Sequence, residues 1–409
     1  MAPASFPSGA DDRADYRADG LVSPQVLAGK ARNQEVRTQE VPASELAGEV
    51  RTKEVLSREF PAGEGPAGEA FVGEVDAGKI QPQRSKIRSS VTVSWDLLAM
   101  PWGLLKRGSR VAVIAPSGPV DQTLLDNGLL RLRSWGLVPV LGRSVSSVDG
   151  FTAGPDNKRA EDLLWALSDP LIEALCVARG GYGLVRVLDL IDWHFVSAAR
   201  ARPIVGMSDC TALHEALRVH ITWPSLLGPH VAGLLAKGMA PGSVADRPTH
   251  DSFVSALFGE VAGAELANAG DSTPYWGSAR VLRGGEADAP WFGGNLAVLA
   301  SLSGSAEGVG PTVPFVAVLE DVNEAPYRID RMLMQLVRSG WFSNAVGVVC
   351  GEWVSCGDAD EVGAVLCERL GFIGGPMVVG APFGHGDRHL TIPLGVPISL
   401  RAHSSGVVS

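Results

Sequence analysis

PIVGMSDCTALH (203–214) is the stretch on which the reading of this chain turns. Ile204, Val205 and Gly206 form a short apolar strand, Ser208 falls on the turn after it, and a helix starts at once, running from Asp209 to about Val219. A serine so placed is lifted out of the fold, with its Oγ at the C-terminal end of a sheet, where open α/β sheets put their sites. The Asp209 N–H is expected to point past that hydroxyl from a helix N-terminus, which suits a developing oxyanion. This is the logic of a nucleophile elbow, although the second glycine of G-x-S-x-G is missing. Taken alone, the segment also fits a plainer reading, with Ser208 as a helix N-cap and Asp209 in the first turn.

Outward from this turn, apolar runs alternate with helical spacing. Residues 111–115 (VAVIA) are a buried strand stopped by PSGP (116–119). Residues 124–135 are spaced as a helix, 138–141 as the next strand, and 156–167 as a second helix with Asp156 as its N-cap. Residues 174–178 are apolar again and end in RGGYG (179–183). Such alternation implies a parallel sheet covered on both faces. Residues 231–280 are rich in Gly, Ala, Ser and Pro, with one helix expected at 252–258. A second α/β unit follows, with strands at 315–319, 346–350 and 377–379 and helices at 327–339 and 361–370. The expected organisation is an N-terminal domain over 95–245, a connector over 246–280 and a C-terminal domain over 281–405.

Composition sets outer limits. The 409 residues are 45% hydrophobic and 20% charged, ordinary for a globular chain, and long enough for two or three domains. A net charge of −10 argues against a nucleic-acid partner, which calls for a basic patch. No apolar run approaches the roughly 20 residues that span a bilayer, and the acidic N-terminus is no secretory signal. The five cysteines are scattered, with no C-x-x-C pair, so the expected compartment is the reducing cytoplasm. Residues 1–90 carry 14 acidic and 12 basic side chains against four aromatics, too little apolar surface to offset an ordering cost of about 1–2 kcal/mol per residue. Residues 1–92 are therefore expected to be a disordered, low-complexity tail, either a real one or the product of a misplaced start.

A serine nucleophile needs a base, and the base an orienting carboxylate. Of the eight histidines, His385 lies in PFGHGDR (382–388), a glycine-flanked loop after a strand, which is a poor place for a packed core residue. His230, in Gly228-Pro229-His230, is a loop residue able to line a site. His214 and His220 are six apart on one helix and share no face, so a His214/His220/His230 metal cluster lacks ligand spacing. For the acid, LEDVNE (319–324) puts Glu320 at a strand end, with Asp321 and Glu324 read as caps of the next helix. The order Ser208, Glu320, His385 is the serine, acid, histidine order of hydrolase folds. RGGYG has no Walker Lys-Ser/Thr and is not G-x-G-x-x-G, so Gly181 reads better as a second oxyanion donor than as a phosphate loop.

The chain resembles the LD-carboxypeptidases, the serine peptidase family that also contains the microcin C self-immunity peptidases. The resemblance rests on VAVIAPSGPV (111–120), RGGYGLVRVLDLIDW (179–193), VGMSDCTALHEAL (205–217), LGPH (227–230), WFGGNLAVLASLSGS (291–305), LEDVNEAPYRIDRMLMQLVRSGWF (319–342) and GHGDRHLTIPLG (384–395), in the family's order. It implies an N-terminal Rossmann-like domain carrying Ser208 as nucleophile and a C-terminal α/β domain carrying Glu320 as orienting acid and His385 as general base. It implies neither metal nor cofactor, and an enzyme that is often a dimer. The implied substrate is a murein tetrapeptide recycled in the cytoplasm, from which the terminal D-alanine is removed. Met207 and His230 depart from the family's pattern, which has an aromatic before the serine and Gly-Pro-Met in the later loop. Tyr275-Trp276 and Trp291-Phe292 keep a second substrate open, an aminoacyl-nucleotide conjugate stacked on aromatics. A non-catalytic binding protein on the same fold is the third reading.

Overall fold

The computed structural model describes residues 88–95, 100–239, 243–259, 276 and 279–405. The described chain opens on the strand Arg88–Trp95 (β1), in which Val91 and Val93 are buried. The expected tail therefore extends too far. Residues 88–92 belong to a strand whose brief alternation is stabilised only by pairing with the far end of the chain, Val91 opposite Ala402 and Val93 opposite Leu400. The rest of the expected tail lies outside the described residues.

The strands Arg110–Ile114 (β2), Val138–Leu141 (β3), Ala174–Val177 (β4), Ile204–Gly206 (β5) and Ser225–Leu227 (β6) lie parallel to their neighbours. β2 and β4 are apolar at nearly every position because both faces of the sheet are covered. The helices Gln122–Ser134 (α1), Asp156–Ser168 (α2), Val185–Leu188 (α3), Trp193–Ser197 (α4) and Thr211–Ala216 (α5) fall between them. Asp121 caps α1 by accepting the Leu124 N–H at 2.9 Å. Asp156, expected as a cap, is instead the first residue of α2 after Pro155, and its carboxylate meets Arg186 at 2.7 Å.

The helix Arg247–Phe258 (α6) then occupies what read as a connector. Asp246 caps it, and Phe253 inside it is fully buried and stacked on Trp135 of the first unit at 5.3 Å. Its polar pattern hid this role, since Thr249, Ser252 and Ser255 are also buried. The later strands are Arg280–Arg283 (β7), Gly285–Asn295 (β8), Phe315–Val322 (β9), Ala345–Val354 (β10), Met377–Val379 (β11), Ile392–Leu394 (β12) and Pro397–Ser405 (β13).

Two sheets result, a six-stranded one ordered β12-β6-β5-β4-β2-β3 and a seven-stranded one ordered β1-β13-β8-β9-β10-β11-β7. The first is the expected Rossmann-like parallel sheet with one addition. β12, from the C-terminal part of the chain, closes its edge antiparallel to β6, so the division at residue 281 is not clean. The sheets also share one core. Val111, Val113 and Val205 belong to the same buried cluster as Val316, Val318, Val349, Ile398 and Leu400. At about 1.5–3 kcal/mol for each fully buried side chain, this shared cluster fixes how the sheets face each other. Among the described residues no helix is long and apolar enough to cross a membrane.

Candidate active site

β5 is only three residues long and ends on Gly206, where a Cβ would lie 2.5 Å from the Cys210 sulfur. The chain therefore turns at once. Met207 is extended, and Ser208 takes φ +58°, a left-handed conformation that a non-glycine residue adopts at a cost. This overturns the N-cap reading, because a cap residue keeps an extended backbone and bonds an N–H two or three residues ahead. The Ser208 hydroxyl instead lies 3.1 Å from His385 Nε2. The following helix is also not uniform: a 3-10 turn at Ser208–Cys210 leads into α5 and then into a π turn at Leu217–Ile221.

The turn is braced from the ends of β4 and β6. Gly180 packs so closely that a Cβ there would be 3.0 Å from Ser208 Cβ and 2.9 Å from His230 Cε1. Gly181, the expected oxyanion donor, has φ +107° beside it. The Leu184 N–H donates to the buried Asp209 carboxylate at 2.8 Å, and burial raises that carboxyl above its usual range. The fully buried Arg159 holds the surrounding loops through the carbonyls of Pro116, Gly154 and Gly183.

Glu320 is fully buried in β9, between β8 and β10. Its Oε2 lies 2.7 Å from His385 Nδ1 and its Oε1 accepts from Asn295 Nδ2 at 3.3 Å. With the carboxylate accepting from Nδ1–H, His385 Nε2 is left to accept the Ser208 proton. Gly384 makes the approach possible, since a Cβ at its φ of +117° would lie 3.0 Å from Glu320 Oε2. The loop is pinned by α6 and its cap: Arg388 pairs with Asp246 at 3.1 Å, and the His389 N–H donates to Thr249 Oγ1 at 3.0 Å. Asp321 and Glu324 do not cap the next helix, Pro326–Arg338, whose N-cap position is Ala325. Asp321 turns the other way, accepting the Ala297 N–H at 2.8 Å and Asn295 Nδ2 at 2.9 Å.

Burial alone pulls the His385 imidazole down, but the hydrogen bond and charge of Glu320, with Asp321 behind it, outweigh that and raise it above the ordinary histidine value. Burial pushes Asp321 up to about 6, and the charge of Glu320 adds to this. His214 and His230 go the opposite way. Burial lowers His214 to about 4 and His230 to about 3, the latter helped by its neighbours His389 and His385. His214 Nε2 meets the Gly206 carbonyl at 3.0 Å, His230 Nε2 the Met207 carbonyl at 3.2 Å, and His220 stacks on Trp193 and pairs with Glu307. They share no centre, and among the described residues no three His, Cys, Asp or Glu side chains gather as metal ligands. Cys210 is buried and its thiol is raised well above its usual value, so it makes a poor nucleophile beside Ser208.

The aromatic platform does not form among the described residues. Trp276 and Trp291 are buried, and Phe292 packs edge-on against Phe315 at 6.0 Å. Tyr275 lies outside the described residues. Residue-by-residue reasoning assigned no role to Asn295, although WFGGNL (291–296) carried the signal: two glycines before a buried amide at a helix start. A cavity of about 350 Å³ lined by Arg280, Glu352, Trp353 and Val362 contains none of the three bonded side chains.

The description of the LD-carboxypeptidase N-terminal domain matches residues 111–228, and that of the LD-carboxypeptidase C-terminal domain matches residues 288–400. A Streptomyces coelicolor protein is 38% identical over 301 residues, covering 73% of this chain and 92% of its own. The murein tetrapeptide carboxypeptidase of Pseudomonas aeruginosa is 32% identical over 293 residues, covering 70% of this chain and 91% of its own. The solved muramoyltetrapeptide carboxypeptidase of Oxalobacter formigenes superposes with a TM-score of 0.58 at 23% identity, covering 73% of this chain and 99% of its own. An MccF-like protein of Bacillus anthracis gives 0.62 at 21% identity, covering 74% and 99%. These two structural likenesses speak for the fold alone.

Proposed function

The chain belongs to the LD-carboxypeptidase family, and from that premise we propose that it is a serine peptidase removing the terminal D-alanine from murein tetrapeptides. The observation that carries the reading is His385 bridging the Ser208 hydroxyl and the buried Glu320 carboxylate, at 3.1 and 2.7 Å. In this reading His385 Nε2 takes the hydroxyl proton as Ser208 Oγ attacks the carbonyl of the diamino acid. The charge that develops on that oxygen is held by the N–H groups of Asp209 and Gly181, each worth about 3–4 kcal/mol of barrier. His385 then gives its proton to the departing D-alanine amine, and a water deprotonated by the same imidazole hydrolyses the acyl-enzyme. Glu320 keeps its negative charge throughout and stabilises the imidazolium.

The enzyme would work in the cytoplasm on recycled peptides, as a homodimer, with no metal or cofactor in any step. The similarity to a murein tetrapeptide carboxypeptidase supports the substrate class. The test is incubation with tetrapeptides carrying meso-diaminopimelate or L-lysine and measurement of free D-alanine. Release by the wild type and none by Ser208→Ala is the expected result. No release from either peptide by an enzyme whose Ser208 still reacts with a fluorophosphonate would sink the substrate assignment. It would direct the search to another acyl donor, such as an aminoacyl-nucleotide conjugate.

A further inference from the structure

We infer that Thr211 and Asn295 are positioning residues, which close a hydrogen-bonded ring across the two sheets and so set the distance between the nucleophile and its base. The inference rests on the serine-peptidase reading of Ser208, Glu320 and His385. Ser208 rides on the six-stranded sheet, whereas Glu320 and His385 belong to the seven-stranded sheet and the loop that leaves it. The serine and histidine are 177 residues apart in the chain, so their 3.1 Å separation depends on how the sheets are fastened at this point.

The fastening is visible. Thr211, three residues after Ser208, is fully buried, and its Oγ1 accepts the backbone N–H of Asn295 at 2.9 Å. Gly294, at φ +150°, lets β8 meet the start of α5 there, since a Cβ would fall 2.4 Å from Thr211 Oγ1. Asn295 is itself buried and spends both amide protons on carboxylates, Glu320 Oε1 at 3.3 Å and Asp321 Oδ1 at 2.9 Å. Its Oδ1 accepts the Val298 N–H at 3.1 Å, which caps the helix Leu296–Ser301 and fixes the orientation of the amide. A flipped amide would face two carboxylates with its oxygen and lose the cap. The circuit runs from Ser208 through Thr211, Asn295, Glu320 and His385 back to Ser208. Every side chain in it except Ser208 and His385 is buried, so water cannot substitute for a missing member.

A helix cap and a buried threonine are also ordinary structural features, so the test needs readouts that stability alone does not move. The titratable groups around His385 are Glu320 from β9, with Asp321 behind it on the other face of the strand, His230 from the loop after β6, and His389 from its own loop. The probe is a small fluorophosphonate, whose rate of attachment to Ser208 reports serine reactivity whatever the natural substrate is. Thr211→Val keeps shape and removes the acceptor. It should slow labelling about 10- to 100-fold, the scale of a displacement of about an ångström at a reacting atom, while Thr211→Ser restores the rate to within about threefold. The acid limb of the labelling profile should move to lower pH in Thr211→Val, because a loosened Glu320 no longer raises His385.

Labelling of a folded Thr211→Val at the wild-type rate, with an unmoved acid limb, would overturn the inference. If Thr211→Val does not fold, Asn295→Asp decides. It keeps the cap but sets a third carboxylate against Glu320 and Asp321, so the acid limb should move to higher pH, and an unmoved limb would again overturn the inference. Failure of the tetrapeptide assay with these labelling effects intact would count against the substrate assignment alone.

Discussion

Ser208 and Glu320 are neighbours in the site and opposites in their support. Ser208 stands on a three-residue strand and a strained turn, half exposed, and is braced by Gly180, Gly206 and the Asp209 carboxylate. Glu320 stands inside an eight-residue strand flanked on both sides, fully buried, with its carboxylate shared between His385 and Asn295. A left-handed non-glycine residue costs about 1–3 kcal/mol, and here the cost falls where the reacting atom must protrude. Rigidity and dryness fall instead where a charge must hold an imidazole. In the proposed mechanism strain serves the nucleophile and burial serves the acid, and each half can be broken separately.

The largest effect is expected from removing the reacting groups. Ser208→Ala and His385→Ala should each lower kcat by about 10⁴-fold or more, and to similar extents, because nucleophile and base act as a unit. Circular dichroism should be unchanged, since neither side chain is in the core. Glu320→Gln attacks the other half. It should lower kcat by about 10³- to 10⁴-fold by mis-orienting the ring rather than removing it. It should also shift the pH profile. His385 lies above the ordinary histidine value because of Glu320, so kcat/KM of the wild type should fall as pH drops through that raised value. Without the carboxylate charge, the limb should move to lower pH. A profile that stayed put would mean Glu320 is not what raises His385.

The brace under the nucleophile comes next. Gly180→Ala places a methyl 3.0 Å from Ser208 Cβ, where backbone and imidazole leave little room to yield. It should cost about 10- to 100-fold in kcat with the pH profile unmoved, because the acid half is untouched. Full activity would show that the strained turn has slack. A smaller effect, on stability rather than rate, is expected at the edge strand. Chains starting at residue 88 and at residue 96 differ by β1, with its buried Val91 and Val93, so the shorter should be less stable by about 3–5 kcal/mol. Equal melting temperatures would make β1 dispensable. The smallest effect belongs to Cys210→Ala, which should leave kcat within about twofold, as a buried thiol held well above its usual pKa has no share in the chemistry.

Most of the six-stranded sheet was legible in advance because its strands are short apolar runs separated by helices of clear period, and β2, β3, β4 and β5 fall where the pattern puts them. The seven-stranded sheet was legible only in its parallel centre, β9, β10 and β11. β1, β7, β8 and β13 pair antiparallel on at least one side and carry charges and serines, so no continuous apolar run announces them. α6 was half legible: residues 252–258 read as a helix, but Asp246 and Thr249 read as connector, when together with Ser252 they are the groups that hold the segment 388–391. The helix-cap assignments at Asp156 and Asp321 failed for one reason. A carboxylate near a helix start has several donors in reach, and the choice among them is made by residues distant in the chain, Arg186 for one and Asn295 for the other.

By itself the sequence determined the strand-to-helix turn that carries Ser208, because a strand, a turn and a helix in immediate succession need no partner to place Ser208 at a sheet end. It also determined the alternation along β9, which with a period of two sends the side chains of Glu320 and Asp321 to opposite faces. Which of those faces meets a histidine was decided only by the tertiary structure, as was which of eight histidines arrives there. The glycines at 294 and 384 let two backbones come close, the shared core turned one sheet against the other, and Asn295 took up the acids on both faces of β9. The contacts of His385 with Glu320 and with Ser208 join residues 65 and 177 positions apart, and no local pattern of polarity carries them.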